Sequence, residues 1–311
     1  MNAVCKAKSP AITGAKSVSL RLIDRISVAG SGVNEDRAAA VGNYAWVVDG
    51  ATDVIDSPLT RAATDADWIA GQIDATLRAY AALPSCPFAD LPEHLATTLA
   101  EAFATETRHA PRGRQEHPSA AGLIIKYDAG VLSYIAISDC TMIVSEAGES
   151  DIRRCGVSGE DAGDRKLKET VVAHQQGEPQ NVREPVSANN DPATLLDRMR
   201  PTLLAIRAHM NRDDGYGVLS ITPTPEIFIH TGFMSVAPGT RILLASDGFM
   251  RLVDVFARYD ANSLFAASAS RGFAPLIDEL RSIEVADATA SAHPRVKARD
   301  DATALLLEVT A

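Results

Sequence analysis

Five acidic positions share one local setting. They are the pair Glu35 and Asp36 in "VNEDRAAAV", Asp49 in "WVVDG", Asp139 in "AISDC", Asp247 in "LLASDG" and Asp300 in "ARDDATALLL". Each borders an apolar, strand-like run. Aspartate is depleted inside strands, so these acids mark strand ends. If the ends share one edge of packed sheets, the carboxylates converge. Converging carboxylates repel one another and need a compensating cation, and hard oxygen ligands suit Mg²⁺ or Mn²⁺. The glycines after Asp49 and Asp247 allow sharp turns, and Gly50 could offer its carbonyl to a metal. Taken singly, each Asp-Gly is an ordinary turn signal and Glu35-Asp36 opens a solvated turn. Spacing alone does not join them.

The elements that would position these acids come in groups. "VSLRLIDRISVAG" alternates and is rich in branched residues, which predicts a strand, and "NYAWVVDG" predicts a second, more central one. From Ser57 the period changes: Leu59, Ala62, Ala66, Ile69, Ile73, Leu77 and Tyr80 mark one face of a long helix, with Ser57 as N-cap and Pro58 as first residue. A second helix is expected from Glu93 to about His109. "AAGLIIKY", "VLSYIAIS" and "CTMIVSEA" read as an antiparallel meander. The polar stretch 156–179 reads as part helix, part loop. Residues 191–211 read as helix kinked or broken at Pro201. Short strands are expected at "GYGVLSI", "EIFIHTGF" and "TRILLAS", then helices to about Glu284 and a last strand in "DATALLLEVT". Strands grouped at the start, middle and end, with helix pairs between, argue α+β with antiparallel sheet rather than a doubly wound parallel sheet. Residues 1–16 read as a loose basic lead-in and 17–311 as a single domain.

Composition narrows the function. The chain has 311 residues, a formal charge of −10 and 46% hydrophobic residues. That acidic balance argues against nucleic acid, whose phosphates are bound by clustered Lys and Arg. No apolar run approaches bilayer length and the N-terminus lacks the apolar segment of a signal peptide, so a cytoplasmic protein without a membrane partner is expected. Cys5, Cys86, Cys140 and Cys155 lack zinc spacing, and Cys140 reads as a small buried apolar residue. The seven histidines are scattered and read as surface or core-edge residues. Arg198, Arg200, Arg207 and Arg212 read as a solvated helical face, with a phosphopeptide patch as the alternative.

In order, "NEDR", "VVDGAT", "SDC", "LLASDG" and "DDAT" resemble the motifs of the metal-dependent protein phosphatases, the type 2C serine/threonine phosphatases, from about Ser17 to Thr310. The resemblance implies a four-layer α-β-β-α sandwich of two antiparallel sheets flanked by helices. It implies two Mg²⁺ or Mn²⁺ ions, with Asp49 bridging them, the Gly50 carbonyl on one, and Asp247 and Asp300 on the other. Glu35 and Asp36 would orient water beside them, and Asp139 would help hold a third, weaker ion. The implied reaction is hydrolysis of phosphoserine or phosphothreonine in a phosphoprotein by a hydroxide bridging the metals.

The match has departures. Ser31 stands where the family often has a phosphate-gripping arginine, and Arg37 is the candidate substitute. "DGATDV" has Thr52 and Asp53 in place of a glycine pair, and Ala51 where some relatives carry histidine. "SDCT" keeps only the acid of its motif, and Asp301 replaces asparagine. Two other readings therefore stand beside the phosphatase: a catalytically weak phosphatase-like binding or regulatory module, and a hydrolase of small phosphoesters.

Overall fold

The computed structural model describes residues 19–83, 86–147, 152–156 and 192–310. Alternation along the strands sorts their side chains into three cores. On β3 (Tyr44–Gly50), Trp46 and Val48 face helices while Ala45 and Val47 face a second sheet. On β10 (Arg241–Ala245), Ile242 and Leu244 face the sheet that holds β3, and Leu243 and Ala245 face another helical layer. Leu305 and Leu307 of β11 (Ala302–Val309) point inward and Leu306 outward in the same way. Each such fully buried Leu or Ile contributes about 1.5–3 kcal/mol of burial. The outcome is helix, sheet, sheet, helix, the expected α+β sandwich.

One sheet runs β1 (Leu20–Val28), β11, β10, β6 (Thr141–Ser145), β7 (Ile152–Gly156). The other runs β2 (Asp36–Val41), β3, β4 (Ser119–Asp128), β5 (Val131–Ile137), β9 (His230–Ser235), with the short β8 (Leu219–Ser220) paired to β4. All these pairings are antiparallel. Helices α1 (Asp65–Ala81) and α2 (Leu91–Glu106) cover the second sheet through Ile69, Ile73, Leu77, Leu95 and Leu99. Helices α4 (Asp247–Asp254), α5 (Ala261–Arg271) and α6 (Ala274–Ala286) cover the first through Phe249, Leu252, Leu264, Leu276 and Leu280. Helix α3 (Pro192–Arg207) packs Met199 with Leu203 and Val296.

Several expectations are corrected. The 120–147 stretch is not a meander. β4 and β5 form a hairpin, but Ser138, at a left-handed φ of 64°, turns the chain across the sandwich, and β6 joins β10 and β7 in the opposite sheet. Helix α1 starts at Asp65 rather than near Ser57, because Thr64 accepts from the Asp67 N–H as its N-cap. The helix around Pro201 runs unbroken from Pro192 to Arg207, held by the Met199 packing and by Arg207 at its end. Strands β2 and β7 were not anticipated. Except for Gly156, the 156–179 segment lies outside the described residues, as do Cys5 and the 1–16 lead-in.

Candidate active site

Strand parity sends four of the acids to one edge of the layer between the sheets. Asp36 opens β2 on the same face as Ala38, and it pairs in register with Asp49 at the end of β3. Across the sandwich, Ser246 follows β10, and its hydroxyl donates to Asp36 Oδ2 at 2.8 Å. That hydroxyl also accepts the Thr303 N–H at 3.0 Å, so one side chain links β2 to the opposite sheet. Asp247, next in sequence, comes close enough to Asp49 for the two carboxyls to act on each other. Asp300, just before β11, completes the group. Asp36 is deeply buried, while Asp49, Asp247 and Asp300 are partly open to solvent. Asp139 sits exposed at the crossover between the sheets, close enough for its charge to act on Asp49.

Neither Asp-Gly is a turn. Asp247 and Gly248 begin α4, behind Ser246 as N-cap. A Cβ on Gly248 would lie 1.9 Å from the Asp301 carbonyl oxygen, so glycine is required by close approach. Gly50 is the last residue of β3, and a Cβ there would meet the Ala66 and Glu35 carbonyl oxygens at 2.6 and 2.8 Å. Both glycines bring backbones together where the acids converge.

Burial and mutual repulsion push these carboxyls up. Asp36 rises from 3.8 to about 7, chiefly through burial, against the hydrogen bond from Ser246. Asp49 is raised well above the usual carboxylate range by burial and by the charges of Asp36, Asp247, Asp139 and Asp300. Asp247 is raised by burial and by Asp300. Glu35 is raised by burial while Thr52 donates to its Oε2 at 3.0 Å. Asp300 differs: despite burial it is lowered, by Lys297 and then Arg251. Lys297 Nζ lies 2.7 Å from Asp300 Oδ1, and Arg251 Nη2 lies 2.6 Å from Oδ2.

Among the described residues, no three His, Cys, Asp or Glu side chains form a ready-made metal cage. What a cation meets is narrower. Asp49 and Asp247 offer hard oxygens close enough to act on each other, and Asp36 Oδ1 is buried without a hydrogen-bond partner. An orphaned buried carboxylate oxygen beside two more carboxylates is costly unless positive charge is supplied. These residues fit a hard divalent ion at Asp49 and Asp247. Asp300 does not fit as an open ligand, because a cationic side chain occupies each of its oxygens.

The neighbouring loops are held by residues whose roles differ from expectation. Arg37 bonds the carbonyls of Asn34 and Asp36 at 2.8 Å and pairs with Asp67, so it braces its own loop against α1 instead of gripping phosphate. Asp301 accepts the Gly30 N–H at 2.7 Å and the Glu35 N–H with its other oxygen. Two acceptor oxygens are needed there, which an asparagine would lack. Arg207 is buried, not part of a solvated face, and donates to the carbonyls of Gln115, Thr52 and His117 behind the "ATDV" segment. Arg200 pairs with Asp56 and Asp197 at the surface. Cys140 is buried as expected, and burial together with the acids raises its thiol well above the usual value, which leaves it inert. Sequence reading missed Ser246, Arg251 and Lys297. Only Lys297 left a visible trace, three residues before Asp300 in "KARDD".

No protein-family model matches the chain, and no curated protein matches it in sequence. Solved structures do. The serine/threonine phosphatase PstP/Ppp of Mycobacterium tuberculosis superposes with a TM-score of 0.54 at 14% identity, covering 94% of this chain and 100% of that one. The catalytic domain of PstP in complex with two manganese ions gives a TM-score of 0.52 at 15% identity, over 95% and 100%. The Streptococcus agalactiae (S. agalactiae) serine/threonine phosphatase gives 0.52 at 9% identity, over 93% and 99%. The chain has the fold of these phosphatases along nearly its whole length.

Proposed function

We propose that this chain is a divalent-metal-dependent phosphatase that removes phosphate from phosphoserine and phosphothreonine in proteins. The observation that carries the reading is the approach of Asp247, just past the end of β10, to Asp49 of the opposite sheet, whose register partner Asp36 has an unpartnered buried oxygen. It occurs in a fold shared with phosphatases, one of them solved with manganese. Asp49 and Asp247 would hold the ion. When bound, such an ion supplies Lewis-acid chemistry, acidifying water and stabilising phosphoryl oxygens.

The chain's own residues do the rest. Ser246 fixes the Asp36 carboxylate across the sandwich. Asp301 pins the loop carrying Glu35, and Glu35 with Thr52 shapes the rim of the site. Arg251 and Lys297 bring positive charge beside the acids, where a phosphate dianion would otherwise be repelled. A cytoplasmic role in dephosphorylation signalling is part of the proposal. No helix among the described residues is long and apolar enough to cross a membrane, and Cys86, Cys140 and Cys155 are free thiols.

Hydrolysis of a phosphothreonine peptide and of p-nitrophenyl phosphate, with Mn²⁺, with EDTA and in Asp247→Asn, tests this. Peptide turnover that needs Mn²⁺ and falls by about 100-fold or more in the variant is expected. Absence of metal-dependent turnover on both substrates, in folded protein, would replace the enzyme by a phosphate-binding regulatory module. The occupied Asp300 favours that second reading. Equal efficiency on both substrates would point instead to a small-phosphoester hydrolase.

A further inference from the structure

Asp300 belongs to a buried chain of alternating charge. Arg251 bridges Asp300 to Glu284, with Nη1 3.3 Å from Glu284 Oε1. Arg281 takes the other Glu284 oxygen at 2.7 Å and donates to the Asp300 carbonyl at 2.9 Å. The Glu284 side chain is fully buried and that of Arg251 nearly so. Lys297 ends the chain on Asp300 Oδ1. Two carboxylates thus meet three cationic side chains, leaving one positive charge in excess. The excess faces the acid edge: Arg251 also acts on Asp247, and the Lys297 ammonium lies within range of both the Asp49 and Asp247 charges. Its side chain is 29% exposed, so it enters the site from the rim.

Resting on the metal-dependent reading above, we propose that the Lys297 ammonium, braced by Arg251, occupies the second cation position of this site. The chain then binds a single divalent ion, at Asp49 and Asp247. Each oxygen of the Asp300 carboxylate already holds a cationic N–H donor, and a second divalent ion there would have to compete with a lysine in a 2.7 Å ion pair while facing an arginine. Among the described residues Asp49 has no ion pair of its own, and the unpartnered oxygen of Asp36 lies on its paired strand.

The test counts bound metal rather than turnover. Mn²⁺ is titrated into the full chain, free ion being read by electron paramagnetic resonance, for wild type, Lys297→Met, Lys297→Ala and Lys297→Arg. Lys297→Met keeps the aliphatic stem, so a folding failure of the alanine variant does not end the experiment. Wild type and Lys297→Arg are expected to bind one tight Mn²⁺. Lys297→Met and Lys297→Ala are expected to bind two, the second about 10–100-fold tighter than any second ion on wild type. Two tight ions on wild type, or a single ion on folded Lys297→Met, overturns the proposal while leaving metal dependence standing. No tight Mn²⁺ on any of the four proteins overturns both readings together.

Discussion

Asp36→Asn should stabilise the metal-free protein, and the gain should depend on pH in a defined way. Asp36 is deeply buried, with one oxygen held by Ser246 and the other unpartnered, and its carboxyl rises from 3.8 to about 7. A group raised on folding binds its proton more tightly in the folded state. Its stabilising contribution is complete below about pH 4, where both states are protonated, and is lost as pH rises to about 7. At pH 8 the ionised carboxylate therefore costs about 4 kcal/mol relative to pH 4. Asparagine keeps an acceptor for the Ser246 hydroxyl and removes the charge facing Asp49. The variant should match wild type near pH 4 and exceed it by up to about 4 kcal/mol at pH 8. For a chain of this length that is a melting-temperature gap of about 6 °C. The assay is thermal unfolding by circular dichroism in EDTA between pH 4 and 8.5. Comparing the two proteins cancels groups titrating in both, among them His117, lowered by burial, Asp300, lowered by Lys297 and Arg251, and Asp287, lowered by the Ala292 N–H and then Arg295. Adding Mn²⁺ should raise wild type most at high pH, where the ion no longer competes with protons. Parallel melting curves for the two proteins, or a variant less stable than wild type at pH 8, would refute the reasoning.

Two further outcomes follow from the same geometry. Glu284→Gln strips the shared anion from Arg251 and Arg281 inside the protein, so stability should fall by about 3–5 kcal/mol, read as a shift of the urea midpoint. Gly248→Ala places a methyl 1.9 Å from the Asp301 carbonyl and forces α4 or β11 to move. It should cost about 1–3 kcal/mol in thermal unfolding and weaken Mn²⁺ binding by separating Asp247 from Asp49.

The layers and the acid edge were legible because they rest on local signals. The apolar runs in "NYAWVVDG" and "TRILLAS" mark buried strands, and aspartates at their ends show where the core stops. The crossover at Ser138 was not legible, since a left-handed φ in a non-glycine residue leaves no compositional mark. The start of α1 was misplaced because Ser57-Pro58 imitates an N-terminus while the working cap, Thr64, lies one loop later. The Asp247-Gly248 pair read as a turn because the reason for its glycine is a backbone 53 residues onward, beyond the reach of any local pattern. Arg251 was invisible for the same cause: it sits on an apolar-patterned helix and meets Asp300 only through the fold.

The Ser246 hydroxyl makes the acid edge a strain gauge for the whole sandwich. It donates to β2 and accepts from β11, so the spacing between the sheets is fixed at the site itself. A residue such as Met142 or Leu305, buried between the sheets, sets the same spacing from further in. Enlarging or trimming either one pries or lets slump the two halves about that hydroxyl. Sites of tuning for this chemistry therefore extend along the full inter-sheet layer, and a library confined to the visible rim would miss them.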